Sequence, residues 1–90
     1  MEESNEMLAA RLHYLFSSAF TQKPYFKPSD SWDHDHCEVC WQTIAEFEGE
    51  DVIHTGYAST ATAKWEADYH WICPECFEQH REHMRWAVVT

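Results

Sequence analysis

Apolar residues recur at three- and four-residue spacing from about Glu3 to Phe20, and this period predicts an amphipathic helix. Acidic residues in the first turn suit the positive end of a helix dipole. The helix must end before Lys23-Pro24, because a proline disfavours helical geometry in the residue ahead of it. We expect the apolar stripe to pack as core against the rest of the chain; a dimer or partner interface is the alternative. The stripe consists of Met7, Leu8, Leu12, Leu15, Phe16, Ala19 and Phe20.

Residues 23–32 are predicted to be a connector, because they contain two prolines and a turn-forming Ser-Asp-Ser. The connector also carries three large rings, Tyr25, Phe26 and Trp32. We expect these rings to pin it to the domain.

Short strands are predicted between the connector and residue 72. Residues 43–47 alternate in polarity, residues 48–51 have turn composition, and residues 52–54 resume as a strand that Gly56-Tyr57 closes. Residues 58–63 are small and predict an exposed loop. Residues 65–71 alternate rings with polar side chains and predict a half-buried strand. We therefore expect a short antiparallel hairpin or a three-stranded sheet.

All four cysteines lie in two Cys-x-x-Cys pairs, Cys37/Cys40 and Cys73/Cys76. Two thiolates three positions apart on a tight turn can point at one ion, and two such turns complete the tetrahedral set that zinc prefers. We predict one structural zinc ion bound by all four cysteines. The alternatives are two disulfides or four free thiols.

The second pair is predicted to open a helix. Pro74 suits a first helical turn, and Phe77, His80, Arg81 and Met84 share one helical face. A chain of 90 residues fits one domain with a small core, so a metal ion is an expected source of stability. We assign residues 1–90 to a single domain, with the first helix in 1–22, the connector in 23–32 and the zinc module in 33–90.

The charge distribution favours a basic protein partner. Sixteen acidic residues against six lysines and arginines give a formal net charge of −10, and residues 28–63 contain neither lysine nor arginine. Such a surface repels phosphate backbones, so direct nucleic-acid binding is disfavoured. Alternatively, the acids only keep an aromatic-rich domain soluble. The predicted partner face consists of Trp32, Asp33, Asp35, Trp41, Glu46, Glu48, Glu50, Asp51 and Tyr57.

The amino terminus is acidic where a secretory signal is basic, and no apolar run reaches membrane-spanning length. We therefore expect a cytoplasmic protein without a membrane partner. In a reducing compartment, paired Cys-x-x-Cys motifs more often bind metal than form disulfides.

The order of a zinc knuckle, strands, and a Cys-x-x-Cys that opens a helix resembles a treble-clef zinc finger over about Asp33 to Trp86. The strings Asp-His-Asp-His-Cys-x-x-Cys-Trp (33–41) and Tyr-His-Trp-Ile-Cys-x-x-Cys-Phe (69–77) also resemble small bacterial zinc-binding proteins of uncertain function. The resemblance implies an α+β fold, a small zinc-stabilised treble-clef-like domain with a short antiparallel sheet and a C-terminal helix. The N-terminal amphipathic helix is an addition to it. No catalytic residue can be transferred from the resemblance.

Catalysis is the minority interpretation of this sequence. It contains no Gly-x-Ser-x-Gly, no His-Glu-x-x-His and no phosphate-binding glycine loop. His34 and His36 beside the first cysteine pair, and His80 and His83 on the predicted helix, are candidate ligands of a second metal. A role in orienting the thiolates is the competing interpretation for the first two.

We therefore expect a non-enzymatic acidic binding module. Its most concrete form is an inhibitor or immunity protein that occupies the basic cleft of an enzyme such as a nuclease. An adaptor or regulatory zinc finger that bridges two proteins is the alternative, and a metal-dependent enzyme comes third. The sequence leaves the oligomeric state open, with a dimer through the first helix as one option.

Overall fold

The computed structural model describes residues 4–89, and the predicted positions of Glu2 and Glu3 in a first helical turn lie outside this range. The described part of the chain forms two α-helices, a short 3-10 helix and seven strands. In chain order these are α1 (Asn5–Arg11), the 3-10 helix (His13–Leu15), β1 (Ala19–Pro24), β2 (His34–His36), β3 (Thr43–Ala45), β4 (Val52–Ile53), β5 (Thr55–Ser59), β6 (Trp71–Ile72), α2 (Pro74–Met84) and β7 (Ala87–Val88).

Helix α1 is shorter than the apolar period predicts. The Ser4 side chain caps it by accepting a hydrogen bond from the Met7 amide at 3.1 Å, but the helix ends at Arg11. Ser17 then adopts a left-handed backbone with φ 62°, and the chain continues as a strand. The predicted single helix through Phe20 is therefore wrong. Phe20 is fully buried and lies on β1, whose backbone pairs with β5. This pairing with a distant part of the chain overrides the helical period of the local sequence.

The strands form two small sheets, each with parallel and antiparallel pairs. The four-stranded sheet has the order β6-β5-β1-β7, in which β1 pairs antiparallel with β5 and parallel with β7. The three-stranded sheet has the order β2-β3-β4, antiparallel and then parallel. The molecule is thus a small compact α+β fold with two α-helices and mixed sheets within residues 4–89.

Stacked rings form the centre of the core. Tyr57 stacks on Phe77 with 3.7 Å between ring centroids, and Trp86 stacks on the Phe77 ring at 5.6 Å. The indole of Trp86 donates to the Leu15 carbonyl at 2.9 Å, which joins the C-terminal part of the chain to the 3-10 helix. Leu8, Leu12 and Leu15 lie in this same core, as expected for the apolar stripe.

Three predictions for the segment between the cysteine pairs are wrong. The antiparallel pairing expected of residues 43–47 and 52–54 is one of them, because β3 and β4 pair in parallel. Ala58 and Ser59 are buried in β5 rather than part of an exposed loop, because they pair with β1. The predicted strand over residues 65–71 is mostly a loop, in which Asp68 has a left-handed φ of 64°, and only Trp71–Ile72 is a strand. The loop is needed because the chain must reverse before β6 can pair antiparallel with β5. The connector is pinned as predicted through Tyr25, whose ring contacts Trp71 at 5.0 Å, although Phe26 is exposed.

Candidate metal centre

The first cysteine pair lies on a tight knuckle after β2. The Cys37 amide donates to the Gln42 carbonyl at 2.8 Å, and the Trp41 amide donates to the Cys37 carbonyl at 2.9 Å. Trp41 completes the reversal with a left-handed φ of 71°. These bonds turn the chain within six residues, so both thiols project from one side of the knuckle.

The second pair opens helix α2. Cys73 is the N-cap residue with extended backbone, and its Sγ accepts a hydrogen bond from the Cys76 amide at 3.4 Å. Pro74 occupies the first turn, as predicted, since it needs no amide partner there. The start of a helix also favours negative charge, and this suits thiolates at both positions.

The two pairs converge on one point. A ligand atom from each of the four cysteines lies within 4.8 Å of the others, and the Cys40 and Cys73 sulfur atoms are 3.8 Å apart. Cys37, Cys73 and Cys76 are buried, whereas Cys40 is exposed. A disulfide needs about 2.05 Å between its sulfur atoms, so these are free cysteines. Four soft sulfur ligands in this arrangement can bind a metal ion.

The thiols influence each other's ionisation. A hydrogen bond from the Cys76 thiol lowers the pKa of Cys37 to about 5, and nearby backbone amides add to this effect. The same hydrogen bond raises the pKa of Cys76, while burial raises the pKa of Cys73 to about 11. The cluster therefore stabilises the thiolate of Cys37 and disfavours the thiolates of Cys73 and Cys76. A bound cation would stabilise all of these thiolates.

Helix α1 holds the knuckle in place through contacts that the sequence did not predict. The Arg11 guanidinium donates to the carbonyls of Glu38 at 2.9 Å and of Val39 at 3.2 Å. The Tyr14 hydroxyl donates to the Glu38 carboxylate at 2.6 Å. The sequence contains no motif that predicts the contacts of Arg11 and Tyr14 with the knuckle.

The structure separates the predicted partner residues into exposed and buried ones. Asp33, Trp41 and the acids of residues 46–51 are exposed. Asp35 is half-buried, and its carboxylate accepts hydrogen bonds from the Tyr25 hydroxyl and the Trp32 indole, each at 3.0 Å. The assignment of Tyr57 as an anchor is wrong, because its ring is buried against Phe77.

A row of rings runs along β2, the edge strand of the three-stranded sheet, and we call it the ring row. His36 stacks on Trp41 with 4.2 Å between centroids, His34 contacts His36 at 5.0 Å, and Phe47 contacts His34 at 6.2 Å. The alternation along residues 33–36 predicts that the two histidines project to one side, but their contacts with Trp41 and Phe47 depend on the fold. Trp41 is 67% exposed and Phe47 45% exposed, so the row faces solvent.

A second metal site gains no support from the arrangement of the histidines. His80 and His83 contact each other directly, with 2.8 Å between their Nδ1 and Nε2 atoms. Within residues 4–89, the four cysteines are the only group of three or more His, Cys, Asp or Glu side chains placed to bind one ion.

No helix among the described residues has both the length and the apolar composition needed to cross a bilayer. The chain matches no family model, no curated protein and no solved structure.

Proposed function

We propose that the chain is a zinc-stabilised, acidic protein-binding module that acts without catalysis. In its most concrete form it is an inhibitor or immunity-type protein that binds a basic enzyme, such as a nuclease. The observation that carries the proposal is the solvent-exposed ring row, which is flanked by exposed acidic residues and contains Trp41, the neighbour of Cys40 in the cysteine cluster.

The ligand set supports zinc as the metal. Tetrahedral Zn–S bonds of about 2.3 Å place sulfur atoms about 3.8 Å apart. This separation agrees with the 3.8 Å between Cys40 and Cys73. Four cysteines leave no open coordination position, so a zinc ion here would stabilise the fold rather than activate water. A knuckle followed by strands and a cysteine pair at the start of α2 also supports the treble-clef likeness.

The chemistry of the ring row supports a cationic partner. One face of Trp41 stacks on His36, and the exposed remainder of the indole can accept a lysine or arginine side chain. Asp33, Glu46 and Phe47 line a shallow depression of about 280 Å³ at the other end of the row. Lys27 also lines the depression; its main-chain amide donates to the Glu46 carboxylate at 2.7 Å, and its ammonium lies 3.1 Å from the Asp30 carboxylate.

Further acids extend the face beyond the depression. Glu48 is exposed and lies 3.6 Å from the His54 ring, and Glu50 and Asp51 on the adjoining turn are also exposed. Charges of this kind speed the encounter with a basic partner, while rings at the centre of an interface slow release. An adaptor role is the second candidate, because Met7 and Phe16, which do not belong to the ring row, also expose apolar surface.

A pull-down from lysate of the native host tests this proposal. The wild-type chain is compared with Glu48→Lys/Glu50→Lys and with Glu78→Lys/Glu82→Lys, which makes the same charge change on exposed positions of α2. We expect basic proteins to be captured at low salt by the wild type and the α2 variant, but not by the Glu48/Glu50 variant. A captured enzyme should lose activity when the chain is added. Equal capture by both variants would contradict the acidic face, and undiminished activity would favour the adaptor.

A further inference from the structure

A cavity unrelated to the ring row lies between the region of the 3-10 helix and the loop that follows β5. It has a volume of about 190 Å³, and its walls include the rings of Tyr14, Trp65 and His70. The same three rings line a second cavity of about 330 Å³. Three rings that border two adjoining cavities form an aromatic wall, which we call the ring wall.

His70 is an unusual member of the ring wall, because its side chain is buried and has no hydrogen-bond partner among the described residues. It is only 5% exposed, and its imidazole makes no hydrogen bond to any residue in the described range 4–89. No fully buried side-chain nitrogen or oxygen in that range lacks a partner, so the unpaired imidazole nitrogens keep some accessible surface. His70 lines the cavity, where such a nitrogen can form a hydrogen bond with a ligand.

The ring wall favours a cation over an anion. Tyr14 donates its hydroxyl to the Glu38 carboxylate, which places a negative charge behind the wall. Lys64 already lies with its ammonium 5.4 Å from the centroid of the Trp65 ring, so this indole accepts a cation in the protein alone. Burial keeps the pKa of His70 below its ordinary value, which leaves the imidazole neutral and one nitrogen free to accept a hydrogen bond.

We propose that this cavity binds the guanidinium group of an arginine side chain from a basic protein partner. A guanidinium is planar, stacks on aromatic faces and carries only donors, which complements Trp65 and the acceptor nitrogen of His70. Ser17 and Ser18 add hydroxyl oxygens to the lining. About 190 Å³ suits one side chain, whereas cavities for drug-sized ligands are typically about 300–1,000 Å³. Lys64 is exposed and can move aside. The assignment of this arginine to a basic protein partner rests on the proposed function.

The test is an NMR titration of the full metal-loaded chain with N-acetyl-arginine methylamide. The matched probes are N-acetyl-citrulline methylamide, which has the same shape without charge, and N-acetyl-lysine methylamide. We expect saturable shifts of the Trp65 indole, the His70 ring and the Ser17 and Ser18 amides with the arginine probe. Citrulline and lysine probes should bind at least about tenfold more weakly.

Two variants test whether the arginine probe binds at the ring wall. Trp65→Ala and His70→Phe should each weaken arginine binding at least about fivefold, whereas Trp41→Ala in the ring row should leave it unchanged. If His70→Phe fails to fold, titration of Trp65→Ala with the arginine probe is sufficient to test the proposal. Equal binding of the citrulline or lysine probe, tighter binding of sulfate, or shifts confined to residues 46–51 would overturn the proposal. Shifts confined to residues 46–51 would place the arginine on the acidic face, and the other results leave partner capture by that face untouched, so the two proposals fail separately.

Discussion

The Arg11 guanidinium donates to the main-chain carbonyl of Glu38 at 2.9 Å and thereby joins α1 to the knuckle between Cys37 and Cys40. A second guanidinium nitrogen donates to the Val39 carbonyl at 3.2 Å. The N-terminal part of the chain therefore supports the candidate metal centre through a forked contact to the backbone of the knuckle.

Arg11→Ala should lower the free energy of unfolding by about 1 kcal/mol, because carbonyls that accepted from a charged donor return to water. Arg11→Lys should recover only part of this loss, since an ammonium cannot span both carbonyls with the same geometry. Urea unfolding of the zinc-loaded protein measures both variants. A lysine variant as stable as the wild type would show that the fork has no role.

Phe77→Ala should destabilise the fold by roughly 3–5 kcal/mol, because it removes the ring that contacts Tyr57, Trp86 and Phe20 in the core. Tyr57→Phe keeps the stacked ring and should leave stability nearly unchanged. Thermal unfolding compares the two variants. If Tyr57→Phe instead weakened capture of a partner without altering stability, Tyr57 would have to be accessible, contrary to its burial.

His70 should titrate below its ordinary pKa of 6.5, because burial penalises the charged imidazole. The folded state then binds protons less tightly than the unfolded state, so stability falls as the pH drops through and below 6.5. The position of the ring proton signal against pH in NMR spectra measures this pKa. A midpoint at or above 6.5 would contradict the environment assigned to the ring.

Trp41→Ala should speed dissociation of a captured basic partner, at a cost of about 2 kcal/mol or more, if the ring row lies at the centre of the interface. Trp32→Ala should instead reduce stability, because that indole donates to Asp35 and its ring contacts Tyr69 at 5.8 Å. Surface plasmon resonance with the captured protein, together with thermal unfolding, separates the two effects. An unchanged dissociation rate of the partner from Trp41→Ala would show that the residue that anchors the partner lies outside the ring row.

The features that depend on neighbouring residues were predictable from the sequence. The Cys-x-x-Cys spacing and Pro74 predict the second ligand pair at the start of α2, and the turn over residues 48–51 is observed with Asp51 at a left-handed φ of 59°. Such signals are local, because turn and cap geometries restrict which residue types fit.

The features that depend on distant pairing were not predictable. Phe20 continues the helical period of the first segment, and only its pairing opposite Ser59 makes it part of a strand. The ring row likewise needs the knuckle to bring Trp41 onto His36. A single sequence carries no record of which strands pair. The Cys-x-x-Cys spacing therefore predicted the cysteine cluster that could bind a metal ion, but not the ring row beside it.

Native mass spectrometry of freshly purified protein measures the metal content of the folded chain. We expect one zinc ion per chain, a mass consistent with four deprotonated thiols, and a shift to highly charged, unfolded ions when a chelator removes the metal. Cys73→Ser should lose both the zinc and the compact ions. A metal-free chain that retains compact ions would show that this fold does not depend on four cysteines and one zinc ion.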